Sequence, residues 1–149
     1  MAEQASTELC AYQPEHFIIQ EFVPPQTYAL FGARSWLAMD VRIVWTADAV
    51  REYFKKPVTI NTWHNGGQFS ARGYRLPTVK TLDDLTQHKM GRAIDFDVKG
   101  IAAEEVRKEI IAHPTEFYFR FIRRLELNVN WVHADCALTN SDKIITFNP

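Results

Sequence analysis

The sequence predicts an α+β domain in which a small antiparallel sheet is flanked by helices. Three observations carry this reading. Residues 40–54 place Val41, Val44, Trp45, Asp48, Ala49 and Tyr53 at mostly helical spacing. Residues 92–98 and 130–136 alternate with the period of two that a half-buried strand requires. Between them, residues 102–112 run Ala-Ala-Glu-Glu-Val-Arg-Lys-Glu-Ile-Ile-Ala, strong helix formers with acids in the first turn, where they complement the helix dipole.

Taken in order, residues 17–23 (Phe-Ile-Ile-Gln-Glu-Phe-Val) read as a short peripheral strand, stopped by Pro24-Pro25, which removes two ladder donors and forces an extended exit. The helix of residues 40–54 ends before Lys55-Lys56-Pro57, where positive charge and proline suit a C-terminus. Residues 57–63 are rich in β-formers and run into Asn65-Gly66-Gly67. From His64 to about residue 85 the glycines, Pro77 and intervening polar residues predict a long loop of the kind that borders a site. Residues 92–98 form a strand with Ala93, Asp95 and Asp97 on one face and Ile94, Phe96 and Val98 on the other. Residues 115–124 read as a second helix, capped by Thr115 after Pro114, although Phe117-Tyr118-Phe119 is also strand-compatible. In residues 130–136, Trp131, His133 and Asp135 share a face, and residues 143–147 read as a closing strand.

Composition narrows the function. A chain of 149 residues, 46% apolar and 23% charged, suits one domain with one core. Its formal charge is -1, and its 17 basic residues are scattered apart from Lys55-Lys56 and Arg123-Arg124, so no nucleic-acid partner is expected. Cys10 and Cys136 are too few for a disulfide framework or a thiolate zinc cluster. No apolar stretch approaches the roughly 20 residues that span a bilayer, and the first residues lack a signal-peptide pattern, so membrane insertion is not expected and synthesis in the cytoplasm is.

Chemistry concentrates in Thr86-Gln87-His88-Lys89-Met90-Gly91-Arg92-Ala93-Ile94-Asp95, answered by Trp131-Val132-His133-Ala134-Asp135. Catalytic zinc takes about three imidazole or carboxylate ligands and leaves a position open, and His88, Asp95 and His133 supply that set. If the strands of residues 92–98 and 130–136 lie antiparallel, Asp95 and His133 meet. Trp131, Trp63 and Tyr74 either line a substrate groove or belong to the core. His16 and His113 carry no spacing argument and read as surface or capping residues.

The pattern [Ser/Thr]-x-His-x-x-Gly-x-Ala-x-Asp, matched at every position from Thr86 to Asp95 and followed by Trp131-x-His133, resembles the zinc D-Ala-D-Ala peptidase family, which shares its fold with hedgehog domains. Residues 17–24, 58–63 and 87–97 are similar to its bacteriophage-encoded members, so the likeness covers most of the chain. The resemblance implies a zinc peptidase of the endolysin or carboxypeptidase type that cuts peptidoglycan stem peptides next to D-amino acids. It further implies action on the cell wall after phage-mediated release, or a place among phage virion proteins. It puts the metal ligands on His88, Asp95 and His133, and the family's Gly-Tyr-Arg motif on Gly73-Tyr74-Arg75, with Arg75 binding a substrate carboxylate or the developing oxyanion. Arg75 could equally pair with Asp83 or Asp84.

One position departs from the family pattern. Three residues before the final histidine, where many members carry an acidic general base, stands Asn130. Asp135 is the nearest catalytic replacement, with Glu126 and His64 behind it. Asp135 could instead orient a ligand imidazole through its other nitrogen. A non-catalytic virion structural or binding protein that keeps the peptidase fold is the alternative to an enzyme.

Overall fold

Residues 17–23 do not form the expected strand. In the computed structural model, which describes residues 12–77 and 86–149, they make a tight 3-10 turn, Ile19–Glu21. Phe22 and Val23 are both fully buried, whereas adjacent residues of a half-buried strand point to opposite faces. The Glu21 carboxylate accepts the Ile18 N–H at 2.9 Å and stabilises the turn locally. The extended exit holds for Pro24 alone. Pro25 opens α1 (Pro25–Phe31), a helix absent from the sequence reading, because the first helical position is the one place where a missing N–H costs nothing.

The helix expected over residues 40–54 is α2 (Val41–Phe54). The Asp40 carboxylate accepts the Arg42 N–H at 3.0 Å, and Lys55, at φ 53°, ends the helix. Of the strand expected over residues 57–63, only β1 (Val58–Thr59) pairs. Beyond it the Asn61 N–H donates to the Glu21 carbonyl at 3.1 Å and the Trp63 indole N–H to the Val23 carbonyl at 2.9 Å, so isolated bonds to residues 21–23 replace a ladder. Residues 64–77 are irregular after the turn Trp63–Asn65, and the rest of the expected loop lies outside the described residues.

β2 (Ala93–Val98) and α3 (Ala103–Ala112) stand where expected. The helix expected over residues 115–124 is instead a 3-10 turn, Phe117–Phe119, followed by β3 (Arg124–Glu126). Aromatic packing decides this. Phe119 enters the core, while the rings of Phe117 and Phe121 meet Trp45 of α2 edge-on at 5.4 and 5.2 Å between centroids. β4 (Val132–Asp135) and β5 (Ile145–Phe147) complete the sheet.

The strand order is β1-β2-β4-β3-β5. β3 and β5 run parallel and the other pairs antiparallel, so the sheet is mixed, not antiparallel throughout. After β4 the chain crosses back to the start of β3 before laying down β5 in the same direction. α2 and α3 both pack on β2. Ile43, Ala47 and Val50 of α2 and Val106 and Ile110 of α3 join Ile94, Phe96, Leu125, Val132 and Ala134 in the core. Polar residues of β2 and β4 are left on the other face. Among the described residues no helix is long and apolar enough to cross a membrane.

Cys136 is only 1% exposed, and burial pushes its thiol up to about 11. In a Cys10→Ser variant, a thiol reagent at pH 8 is expected to leave the folded protein unlabelled and to label the unfolded chain stoichiometrically. Because the folded pKa is raised, the stability this thiol contributes is present below the ordinary thiol value and lost as pH climbs through about 11. Fast labelling of the native protein would contradict the burial.

Candidate metal centre

The register of β2 on β4 sets Asp95 directly opposite His133. His88 arrives from a 3-10 turn, Gln87–Met90, closed by Gly91 at φ 67°. The Gly91 carbonyl accepts the Asp40 N–H at 2.9 Å, which ties this turn to the start of α2. A Cβ at residue 91 would overlap the Ala38 carbonyl oxygen. Glycine is therefore needed here twice over, for the left-handed backbone and for the close approach.

The three side chains expected as ligands converge. His133 Nδ1 lies 2.9 Å from Asp95 Oδ1, His88 Nε2 lies 3.3 Å from the same oxygen, and the two ring nitrogens are 3.2 Å apart. Tetrahedral zinc with bonds of about 2.0–2.1 Å separates its ligands by about 3.3 Å, so the triangle has close to the required size. All three residues are buried, at 3%, 6% and 7% exposure for His88, Asp95 and His133.

The tautomers follow from the remaining partners. His88 Nδ1 faces the Gly73 carbonyl at 2.8 Å. That oxygen can only accept, so Nδ1 carries the hydrogen and Nε2 presents a lone pair. His133 faces a carboxylate oxygen on each side, Asp135 Oδ2 from Nε2 at 3.0 Å and Asp95 Oδ1 from Nδ1 at 2.9 Å, so a metal ion bound here would take the place of the Nδ1 proton and leave Nε2–H on Asp135. His88 Nε2, Asp95 Oδ1 and His133 Nδ1 thus converge on one point. Burial drives the His133 pKa down, but hydrogen bonds to Asp135 and Asp95 outweigh it and hold the pKa up at about 9. Burial raises Asp95, and hydrogen bonds from His133 and His88 overcome this to hold its carboxyl far below the usual carboxylate range. The cluster favours one positive charge at its centre, whether a proton or a metal ion.

Asp135 is fully buried and sits behind His133 rather than in the cavity. Arg124 Nε reaches both of its oxygens at 3.0 Å, and the Ala137 N–H reaches Oδ1 at 3.1 Å. Burial raises this carboxyl too, but the hydrogen bonds from His133 and Arg124 hold it low. Of the two roles open to Asp135, catalytic base or orienting partner, this placement matches the second.

Glu126 has the position that Asp135 lacks. The pairings Arg124↔Asp135 and Leu125↔Ala134, continued by one residue, bring Glu126 opposite His133. Asp95, His133 and Glu126 therefore form a row across β2, β4 and β3, and Phe147 of β5 extends it. Facing residues on neighbouring strands have Cβ atoms about 4.5–5.5 Å apart. Glu126 lines the same cavity as the three candidate ligands, together with Arg75 and Trp131. His64 is not among the residues lining this cavity.

Arg75 donates to Asp95 Oδ2 at 3.0 Å and to the Ala71 carbonyl at 2.7 Å. Its expected rivals, Asp83 and Asp84, lie outside the described residues. Trp131 lines the cavity, and its indole N–H is buried without a partner among the described residues. Tyr74 does not reach the cavity. It lines a separate apolar recess with Phe31 and Leu37, because its N–H is held by the Phe22 carbonyl at 2.7 Å. Trp63 is likewise structural, its ring against Tyr28.

Sequence reading overlooked Arg124 as the holder of Asp135, and Arg107. Arg107 is 3% exposed and donates to the carbonyls of Trp131 and Val129 at 2.7 and 3.0 Å, fixing the entry to β4. Neither role carries a local signal, since Asp135 and the Trp131 and Val129 carbonyls are distant in sequence, and the one local partner of Arg107, Glu104, reads as an ordinary helix ion pair. Comparison with protein-family models, with curated proteins and with solved structures returned no match for this chain.

Proposed function

We propose that this chain is a zinc-dependent peptidase of the hedgehog/D-Ala-D-Ala peptidase fold, acting on amide bonds next to D-amino acids in peptidoglycan stem peptides. The observation that carries the reading is the convergence of three ligand-type atoms, His88 Nε2, Asp95 Oδ1 and His133 Nδ1, at the spacing of zinc ligands in a cavity that Glu126 also lines. The motif's likeness to phage-encoded peptidases supplies the substrate class and the setting, cell-wall cleavage after phage-mediated release.

Zinc held by this set supplies Lewis acidity towards a carbonyl oxygen and towards water. The protein's own groups do the rest. Glu126, in the cavity and one strand from His133, takes the proton from the attacking water and returns it to the leaving amine. Asp135, held by Arg124, fixes the His133 ring so that Nδ1 faces the centre. Arg75 steadies Asp95 and, at the cavity edge, offers charge to the carbonyl oxygen.

The test is elemental analysis joined to hydrolysis of purified peptidoglycan. About one zinc per chain is expected, in line with a single closed ligand set, with activity removed by chelation and restored by zinc. Glu126→Gln should keep its zinc and lose about 10²–10⁴ in rate. Asp135→Asn should weaken zinc binding by about 10–100-fold. An unchanged rate in Glu126→Gln would move the base elsewhere. Bound zinc with no hydrolysis of any wall type would favour a non-catalytic virion protein, the reading that Asn130 keeps open.

A further inference from the structure

A second set of metal-type donors lies away from the buried cluster. Glu15 and His16, in the segment leading into the Ile19–Glu21 turn, meet Glu52 in the last turn of α2. His16 Nε2 is in direct contact with Glu52 Oε1. One donor atom from each of the three residues lies within 4.8 Å of the other two. Among the described residues, this set and the His88–Asp95–His133 cluster are the two places where such donors converge.

The backbone of this segment is held by Asp48, one turn before Glu52 on α2 and 4% exposed. Its carboxylate accepts the Glu15 N–H at 2.7 Å, the His16 N–H at 3.1 Å and the Tyr12 hydroxyl. It therefore seats residues 15 and 16 on the helix and adds a negative charge beside them. Glu15, Asp48 and Glu52 line one hollow of about 240 Å³ with His16 and Tyr12, and no lysine or arginine is among its described lining residues. His16 and Glu52 also border a second hollow, which Arg51, Lys55 and Lys56 line. Three carboxylates at one hollow repel one another; an imidazolium offsets one of these charges, and a dication two. Imidazole with carboxylates is a donor set for zinc and its neighbours, whereas magnesium and calcium take oxygen ligands. An ordinary surface pair looks different. His113 and Glu109, at the end of α3, are 3.4 Å apart, and no third donor among the described residues completes a set around them.

We propose that Glu15, His16 and Glu52 form a second, partly exposed site for a divalent ion of the zinc class, which fastens the segment leading into the Ile19–Glu21 turn to α2. The site is weaker than the buried centre, because two solvated glutamate side chains must be ordered to close it. The one zinc expected per chain as isolated belongs to the buried centre, and the second ion enters on titration.

Calorimetric titration of the as-isolated protein with zinc chloride tests this. One further equivalent is expected. His16→Ala and Glu52→Gln should each weaken it by about tenfold or more, since a ligand is lost, and both should keep the zinc of the buried centre. His113→Ala should leave the further equivalent unchanged. The same weak equivalent is expected in Asp95→Asn, so the outcome is separate from the fate of the buried centre. Absence of a further equivalent, or its survival in both His16→Ala and Glu52→Gln, would overturn the proposal. A loss of similar size in His113→Ala would mean adventitious binding to surface histidines only and would overturn it as well. Zinc should also slow amide exchange at Glu15 and His16 in the unsubstituted protein and not in Glu52→Gln, which reads the fastening directly. Exchange that zinc leaves unchanged in the unsubstituted protein would refute the fastening.

Discussion

Replacing His133 by alanine is expected to strip zinc from the protein and to lower peptide hydrolysis by about a thousandfold or more, since metal polarisation of a carbonyl is worth several kcal/mol and each 1.36 kcal/mol is tenfold in rate. The geometry behind this is specific. His133 is the centre of the row Asp95, His133, Glu126, and without it the site keeps only His88 and Asp95, which come from one short stretch of chain. His133 also stands between the buried carboxylates of Asp95 and Asp135, at 2.9 and 3.0 Å. Its removal therefore lowers metal-free stability as well. Asp95→Asn supplies the independent check, because it removes the ligand charge and keeps the shape. In the unsubstituted protein, zinc at 100 times its dissociation constant should stabilise the fold by about 2.7 kcal/mol. That corresponds to a rise in Tm of roughly 5–10 °C for a domain of this size. Neither variant should show the rise. Equal zinc content in all three proteins would sink the metal assignment.

Gly91→Ala is expected to cost about 2–4 kcal/mol, by left-handed strain and by backbone overlap. The fall in Tm should be roughly 5–15 °C at 2–4 °C per kcal/mol. Gly91 sits at φ 67°, and its missing Cβ is what lets the Ala38 carbonyl approach. Gly100 is the internal control. It has φ 78° with open space where a Cβ would go, so Gly100→Ala carries the strain alone, about 1 kcal/mol. The difference between the two variants in thermal or denaturant unfolding isolates the packing contribution of the metal turn against the start of α2. Equal losses would mean that the turn can shift away from Ala38 freely. Zinc affinity should fall in Gly91→Ala and not in Gly100→Ala, because only the former displaces His88.

The elements that could be read from residue order were those whose stability is local. α2 and α3 have long amphipathic runs, with Asp40 capping the first and Glu104 and Glu105 in the first turn of the second. β2 and β4 alternate cleanly, and their antiparallel pairing was enough to bring Asp95 to His133. The misread segments, residues 17–23 and 115–124, are short and aromatic-rich, and their conformation follows from distant partners. Phe22 and Phe119 are core residues first and members of a local pattern second. The helix α1 was hidden because its prolines read equally as a break or as a start.

By itself the sequence determined the α+β class, through helical and strand periodicity, and named His88, Asp95 and His133 as candidate ligands, through the motif around residues 86–95 and the Trp131-x-His133 that answers it. Which carboxylate faces the cluster was decided only by the tertiary structure. Asp135 is two residues from His133 and shares its face, yet Arg124 draws it behind the ring. Glu126 is seven residues away in sequence and becomes the neighbour of His133 through the pairing of β3 on β4. Strand register places side chains by hydrogen-bonded alignment between strands, and that alignment is a property of the assembled sheet and its core, which no single strand carries in its own sequence.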